Sequence, residues 1–349
     1  MLEIAKTDIR NLPDEDLANF LKTHGEPKFR TKQILDWLWK FGVTDFEQMT
    51  NLSKSLRQLL DQHFFIHTIR EDVCQHSEDG TIKMRFRLYD DALIESVLIP
   101  VPADDRYTVC ISCQVGCSLS CKFCATGQMK RVRNLDAGEI YDQVVAVDKK
   151  CQEIYGHKLT NIVYMGMGEP LLTYQNLMKS IEKITSPDGL HMSPRRITVS
   201  TAGIAKMIRK LADDQVRFNL ALSLHAADDE KRNEIMPINE QNNLEALMEA
   251  LVYFYQKTGN RISYEYIAFE GFNDHPKDAA NLVRLCSKFP VKVNVIEYNP
   301  IDGVSYTKSS EDRLNDFAKR VRDKGVMITV RRSRGKDIDA ACGQLANKE

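Results

Sequence analysis

Apolar positions in the first part of the chain recur with the period of a helix. Ile34, Trp37, Leu38 and Phe41 stand at i, i+3, i+4 and i+7, and Leu52, Leu56, Leu59 and Leu60 follow a similar spacing behind a cap signal at Ser53 or Asn51. This predicts a small helical module running to about residue 75. The runs TIKMRFRLYDD and ALIESVLIP are short and β-prone, and they meet at Asp90 and Asp91, which predicts a connecting hairpin. Beyond Arg106 the pattern changes again, to β-type runs alternating with helical stretches. YTVCIS precedes EIYDQVVAVDKKC, NIVYMGM precedes YQNLMKSIEKI, RITVSTAG precedes IAKMIRKLA, and FNLALSLH precedes NLEALMEALVYFYQ. ISYEYIAFE, VKVNVIEYN and VMITVRR continue the series. Repeated βα units predict an α/β fold, a parallel barrel or open sheet, whose chemistry sits at the C-terminal ends of the strands. Five unusual strings fall at such ends: the cysteine run after YTVCIS, then GMGEP, STAG, SLH and YNP. The expected division is a helical domain at 1–80, a hairpin linker at 81–104 and a catalytic domain at 105–349.

Composition narrows the classes without choosing among them. In 349 residues, 43% are hydrophobic and 28% charged, which excludes fibrous and disordered chains. No stretch approaches the roughly 18 uninterrupted apolar residues of a membrane span, and the opening has no apolar signal core. A cytoplasmic protein with no membrane partner is expected. Forty-eight basic against 49 acidic residues do not advertise a polyanionic partner.

The nine cysteines do change the picture. An odd number in a long chain without a secretion signal argues for metal binding or thiol chemistry over a disulfide framework. Cys117, Cys121 and Cys124 form a CxxxCxxC pattern on a loop, and thiolates select zinc, copper(I) or iron–sulfur centres. Three protein ligands on a four-iron cube leave one iron open to a substrate or cofactor. A structural zinc site completed from elsewhere in the chain is the alternative.

With the cysteine run, the chain resembles radical S-adenosylmethionine enzymes, in which this pattern holds a [4Fe–4S] cluster whose free iron chelates S-adenosylmethionine. Through CISCQVGCSLSCKFCATGQ, RNLDAGEI, YMGMGEP, SPRRITVSTAGI, SLHA, MPIN, YNP and DIDAACGQL it resembles the RlmN and Cfr family of adenine-C methyltransferases acting on ribosomal RNA. Pro170 in GMGEP is more similar to the RlmN branch. The resemblance implies a partial parallel (βα) radical SAM barrel with a small N-terminal helical domain, matched here by EPKFRTKQI, that helps hold RNA. It also implies the substrates, 23S ribosomal RNA and transfer RNA, and an external electron donor. No obligate protein partner is evident.

The same resemblance assigns roles. Cys342 takes a methyl group from one S-adenosylmethionine as a thioether. A radical generated from a second molecule abstracts hydrogen from that methyl, and the resulting CH2 radical adds to the base. Cys110 then forms a disulfide with Cys342 as the methylated base leaves. Glu95 matches a glutamate proposed to take a proton from the base; an ordinary exposed strand carboxylate is the other reading. Gly168 and Glu169 approach the amino end of S-adenosylmethionine, and Ser200, Ser223, Leu224, His225 and Asn299 contact its remaining groups. Ser200 read alone is a turn or cap residue, and His225 a satisfied buried histidine.

Alternation along YTVCISC puts Cys110 and Cys113 on opposite faces, with Cys113 a small packing residue toward the helices. Cys74, Cys151 and Cys286 also read as packing residues. Three windows lack acidic residues, 122–135, 191–210 and 324–336, and predict local positive charge for a phosphate backbone. The expected activity is therefore methylation of adenine C2 in 23S ribosomal RNA and transfer RNA. Methylation at C8 with the same machinery, and a non-catalytic zinc-containing RNA-binding protein, are the alternatives.

Overall fold

A computed structural model describes residues 6–348. Its N-terminal module contains the helices Asp14–Thr23, Phe29–Trp39 and Lys54–His63. The last begins where Ser53 accepts a hydrogen bond from the Leu56 amide, so the cap lies at Ser53. Leu17, Leu21, Ile34, Leu38, Leu56 and Leu60 are buried between them. The second helix departs from the expected stripe. It ends at Trp39, Trp39 is buried in place of Trp37, and Phe41 lies beyond the helix with 60% of its surface exposed.

The main sheet has ten strands: β1 Arg70–His76, β2 Ile82–Arg87, β3 Leu93–Val101, β4 Arg106–Cys110, β5 Asn161–Tyr164, β6 Ile197–Thr201, β7 Asn219–Ser223, β8 Ile262–Ala268, β9 Val291–Glu297 and β10 Met327–Arg331. They lie side by side in chain order. Strands β4 to β10 are parallel, and β1 to β4 are joined antiparallel. No pairing among the described residues joins β1 to β10, so the parallel barrel is partial and open on that side. Helical structure was expected to about residue 75, but β1 occupies that segment. Its residues are mostly polar because an edge strand pairs on one side only and buries little. The connector is thus a three-stranded meander rather than a hairpin. The β2–β3 turn does fall at Asp90 and Asp91, with Asp91 at φ 61°.

Alternation along the parallel strands separates two faces. Tyr164, Val199, Leu222, Tyr264, Tyr266 and Val295 are buried against the surrounding helices, as the Tyr164 bond to Ser180 and the Tyr266 ring against Phe317 illustrate. The intervening positions, among them Cys110, Ser200, Ser223, Glu265 and Asn294, face the interior. No helix among the described residues is long and apolar enough to cross a membrane.

The RNLDAGEI string acquires a structural reason here. Asp136 and Glu139 form a capping box at the start of helix Ala137–Tyr155. Arg133 forks onto Glu139 at 2.7 and 2.8 Å and onto Asp90 at 2.7 and 3.0 Å. Gly138 leaves room for Arg10 from the N-terminal module, since a Cβ there would stand 2.5 Å from the guanidinium carbon. Arg10 is buried, bonds Asp142 at 2.7 Å, donates to the His67 carbonyl and lies 3.9 Å from Asp8. It therefore rivets the module to the barrel. Removing one partner of a buried ionic network strands the others without counter-charge. Arg10→Ala should lower the unfolding free energy by about 3 kcal/mol in urea titration; a loss under about 1 kcal/mol would contradict this role.

Candidate active site

Strand β4 ends at Cys110, and the chain then doubles back through a short ladder pairing Gln114–Val115 with Arg133–Asn134. Between these arms hangs the cysteine loop. Gly116 has φ 72°, and a Cβ there would lie 2.1 Å from the Lys130 carbonyl oxygen; at Gly127 it would lie 2.6 Å from the Cys121 carbonyl. Both glycines let the loop fold onto itself. Cys117, Cys121 and Cys124 are each partly buried. Burial pushes the Cys117 thiol up to about 11, and also raises Cys121 and Cys124. Cys121 is pushed further by the neighbouring Cys124 and Cys117 and pulled back by Arg232. The donor set is three soft sulfurs. Among the described residues, no three histidine, cysteine or acidic side chains converge closely enough to hold a single ion. Three thiolates suit an iron–sulfur cube with one iron left open.

The other strand ends form the walls. Gly168, at φ 99°, packs on Gln114, where a Cβ would come within 2.5 Å. Glu169 is buried, and its carboxylate accepts from the Leu171 amide at 3.0 Å and the Ala202 amide at 2.8 Å, tying GMGEP to STAG. Burial raises its pKa against those bonds. Ser200 and Ser223 face each other at 3.2 Å. Leu224 is fully buried. His225 is buried as well, at φ 54°, and its Nδ1 accepts from the Ile267 amide at 3.1 Å. Only Nε2 is left to a ligand. Burial, then the charge of Arg232, lowers the His225 pKa to about 3, so the ring is neutral. Asn299 donates to the Cys342 carbonyl at 3.2 Å.

Arg232 drew no attention in the sequence. It is 0% exposed and donates to the carbonyls of Leu224 at 3.0 Å, Ala202 at 2.5 Å and Ser223 at 3.2 Å, and to Asn239 of MPIN at 2.5 Å. One guanidinium thus binds the STAG, SLH and MPIN strings together. The only sequence signal was an arginine in an otherwise ordinary helix, Asp229–Ile235.

Cys342 is exposed, and the surrounding protein pushes its thiol up to about 12. The charges of Cys124, Glu265 and Arg331 all reach it. Cys110 is likewise pushed up to about 12, by burial first and then by the charge of Cys342. All nine cysteines are free; the Cys110–Cys342 disulfide expected as a reaction step is not a bond of this structure. Cys113 corrects the alternation argument. The strand stops at Cys110, and Cys113 turns onto the GMGEP loop, its thiol 3.5 Å from the Met167 carbonyl and near Glu169 and Cys117. It is a buried packing residue, as are Cys151 and Cys286, while Cys74 on the edge strand is only half-buried.

Glu95 is not an exposed strand carboxylate. It is 1% exposed, and Oε2 accepts from the amides of Ala346 at 2.9 Å and Asn347 at 3.1 Å. Its Oε1 lies 3.5 Å from the buried Lys83 ammonium and has no hydrogen-bond partner. The basic windows are partly neutralised in space. Arg133 is paired as described, Arg332 and Lys336 each reach Glu297 at 2.7 Å, and Lys210 meets Asp214 at 3.0 Å. Lys122, Lys130, Arg131, Arg195, Arg196 and Lys206 remain exposed.

Residues 7–66 match the family model described as the ribosomal RNA large subunit methyltransferase N-terminal domain, and residues 111–283 match the radical SAM superfamily. The chain is 56% identical over 347 residues to a probable dual-specificity RNA methyltransferase RlmN of Cytophaga hutchinsonii, covering 99% of this chain and 94% of that one. It is 42% identical over 350 residues to the dual-specificity RNA methyltransferase RlmN of Desulfotalea psychrophila, covering 99% and 96%. The crystal structure of a radical SAM methyltransferase from Sphaerobacter thermophilus superposes with a TM-score of 0.90 at 39% identity, covering 98% of this chain and all of that one.

Two outcomes follow from the geometry. Glu95→Ala should free the amides of Ala346 and Asn347, raising their hydrogen-exchange rates about tenfold or more; unchanged protection would show that Glu95 does not hold the tail. Lys336, Arg332 and Lys308 hold the Glu297 carboxyl at about 2, below its ordinary 4.5. Its contribution to stability is complete above pH 4.5 and is lost as pH falls toward 2. Glu297→Gln should flatten the acid limb of the stability curve in that window, and an unaltered limb would refute the assignment.

Proposed function

The chain belongs to the RlmN family of radical S-adenosylmethionine RNA methyltransferases, and we propose that it methylates C2 of an adenine in large-subunit ribosomal RNA and in transfer RNA, with Cys342 carrying the methyl group. The observation that supports this reading is the hydrogen bonding of the Cys342 segment onto the cysteine loop and the strand ends, through Asn299 to the Cys342 carbonyl at 3.2 Å, Ala125 to the Gly343 carbonyl at 2.7 Å and Thr126 to the Leu345 carbonyl at 2.6 Å.

Cys117, Cys121 and Cys124 would hold a [4Fe–4S] cluster, leaving one iron for S-adenosylmethionine. When bound and reduced, that pair supplies the radical chemistry needed because C2 of adenine bears a hydrogen of negligible acidity. The protein does the rest. Glu169, with Gly168 giving close backbone approach, would hold the amino end of the cofactor, and Ser200, Ser223, the Leu224 backbone, Nε2 of His225 and Asn299 would hold the remainder. Cys342, alkylated by one S-adenosylmethionine, presents the carbon that bonds to C2. Oε1 of Glu95, without a hydrogen-bond donor, accepts the proton lost from C2, and the unpaired electron left on the base would pass back to the oxidised cluster. The Cys110 thiolate then attacks the Cys342 sulfur, the sulfur–carbon bond breaks, the carbon takes a proton to become the new methyl, and a disulfide forms. An external two-electron reductant restores both thiols. The exposed cations beside the cysteine loop and the 191–210 window serve the phosphate backbone, and a target base in folded RNA must be unstacked to reach the cavity.

Replacing Cys110 removes the attacking thiol while leaving carbon–carbon bond formation intact. Incubating Cys110→Ala holoenzyme with substrate RNA and S-adenosylmethionine should accumulate an RNA–protein crosslink mapping to Cys342 by mass spectrometry. Cofactor cleavage without any crosslink would contradict the assigned roles.

A further inference from the structure

Glu265 has no part in the chemistry above, yet it lies in the barrel interior beside the proposed methyl carrier. It sits in the middle of β8, in register with Ser223 of β7 on one side and Asn294 of β9 on the other. Only 4% of its surface is exposed. Its Oε1 accepts from the Ser263 hydroxyl at 2.8 Å and the Asn294 amide at 2.8 Å. Its Oε2 is buried and has no hydrogen-bond partner; the Arg331 guanidinium is 3.8 Å away, an ion pair without a hydrogen bond. A buried, unpartnered carboxylate oxygen is costly, and native proteins keep such groups where a ligand completes them. Arg331 ends β10 in register with Ile296, two residues along β9 from Asn294 and so on the same interior face. Asn299, just past the end of β9, holds the Cys342 carbonyl at 3.2 Å. The pair therefore faces the interior below the Cys342 segment, and the pull of Glu265 and Arg331 on the Cys342 thiol agrees with this.

An acceptor-only carboxylate next to a donor-only guanidinium suits a base that presents an amino group and bare ring nitrogens. Adenine presents both. A base with a carbonyl in place of the amine sets oxygen against oxygen. Building on the adenine-C2 reading, we propose that Glu265 is a specificity-determining residue whose Oε2 accepts a hydrogen bond from the exocyclic amino group of the target adenine, opposite Arg331.

The test is equilibrium competition for the reconstituted holoenzyme, without oxygen, by short RNA hairpins carrying adenosine, purine riboside or inosine at the target position. Wild-type protein should bind the adenosine hairpin about tenfold to a hundredfold more tightly than purine riboside, and inosine more weakly still. In Glu265→Gln, Ser263 and Asn294 hold the amide oxygen, so the NH2 faces the base. That variant should lose the preference for adenosine and gain relative affinity for inosine. S-Adenosylmethionine carries the same amine, so its binding to wild type and variant is titrated in parallel and should be unchanged. Wild-type affinities for adenosine and purine riboside within about threefold of each other would overturn the proposal without any variant. So would a variant that keeps the wild-type ranking, or one that loses only cofactor affinity. Product analysis of the adenosine hairpin with wild-type enzyme is separate: a methyl group at a carbon other than C2 would sink the adenine-C2 reading, whatever the binding series shows.

Discussion

A thiol that must form and break bonds at one carbon has to return to one position, and Cys342 lies on a segment with neither long helix nor strand to hold it. Side chains and loop amides fix it instead. Asn299 holds the Cys342 carbonyl, the Ala125 amide holds the Gly343 carbonyl at 2.7 Å, the Thr126 hydroxyl holds the Leu345 carbonyl at 2.6 Å, and Glu95 holds the next two amides. Two of these anchors follow directly on Cys124. The segment proposed to carry the methyl group and the cysteine loop are therefore tied together. Each bond is worth about 1 kcal/mol net, so the strap is weaker than the barrel beneath it and can loosen as a unit without unfolding the core.

The strand-end loops have a comparable dependence on Arg232. A buried guanidinium needs acceptors for its fork of donors, and here they are three loop carbonyls and one asparagine. The Ala202 and Leu224 carbonyls lie just past the ends of their strands and the Ser223 carbonyl at the last residue of β7; Leu224 also accepts from the Ala226 amide at 2.7 Å, and Arg232 adds a donor at each. Burial keeps His225 neutral, and the Arg232 charge adds to that effect and reaches Cys121, so one residue both shapes the loops and sets part of their electrostatics.

Most of the catalytic fold could be read from the sequence because parallel strands buried on one face and helices with one apolar stripe leave strong periodic signals. The loops after Cys110, Tyr164, Thr201 and Ser223 stood out because their residue types are unusual for turns. Three things were not legible. The strand Arg70–His76 shows no apolar alternation because an edge strand buries little. Phe41 matched the helical spacing only because periodicity does not reveal where a helix stops. The roles of Arg232, Lys83 and Glu95 depend on partners from 7 to 252 residues away, outside any helical or strand repeat, and no local pattern encodes those contacts. The acid-free windows are partly neutralised: Glu297 reaches Arg332 and Lys336 across the fold, while Glu139 and Asp214 stand just beyond two windows, six and four residues from Arg133 and Lys210.

The central claim is that the methyl carbon delivered to RNA passes through Cys342. Protein loaded with S-adenosylmethionine bearing a deuterated methyl, freed of that cofactor and then given unlabelled S-adenosylmethionine and RNA, settles it in a single turnover. Mass spectrometry should find the label on the Cys342 peptide before turnover and at C2 of the product adenine afterwards. A product methyl carrying no deuterium, from protein whose Cys342 was labelled, would contradict the account.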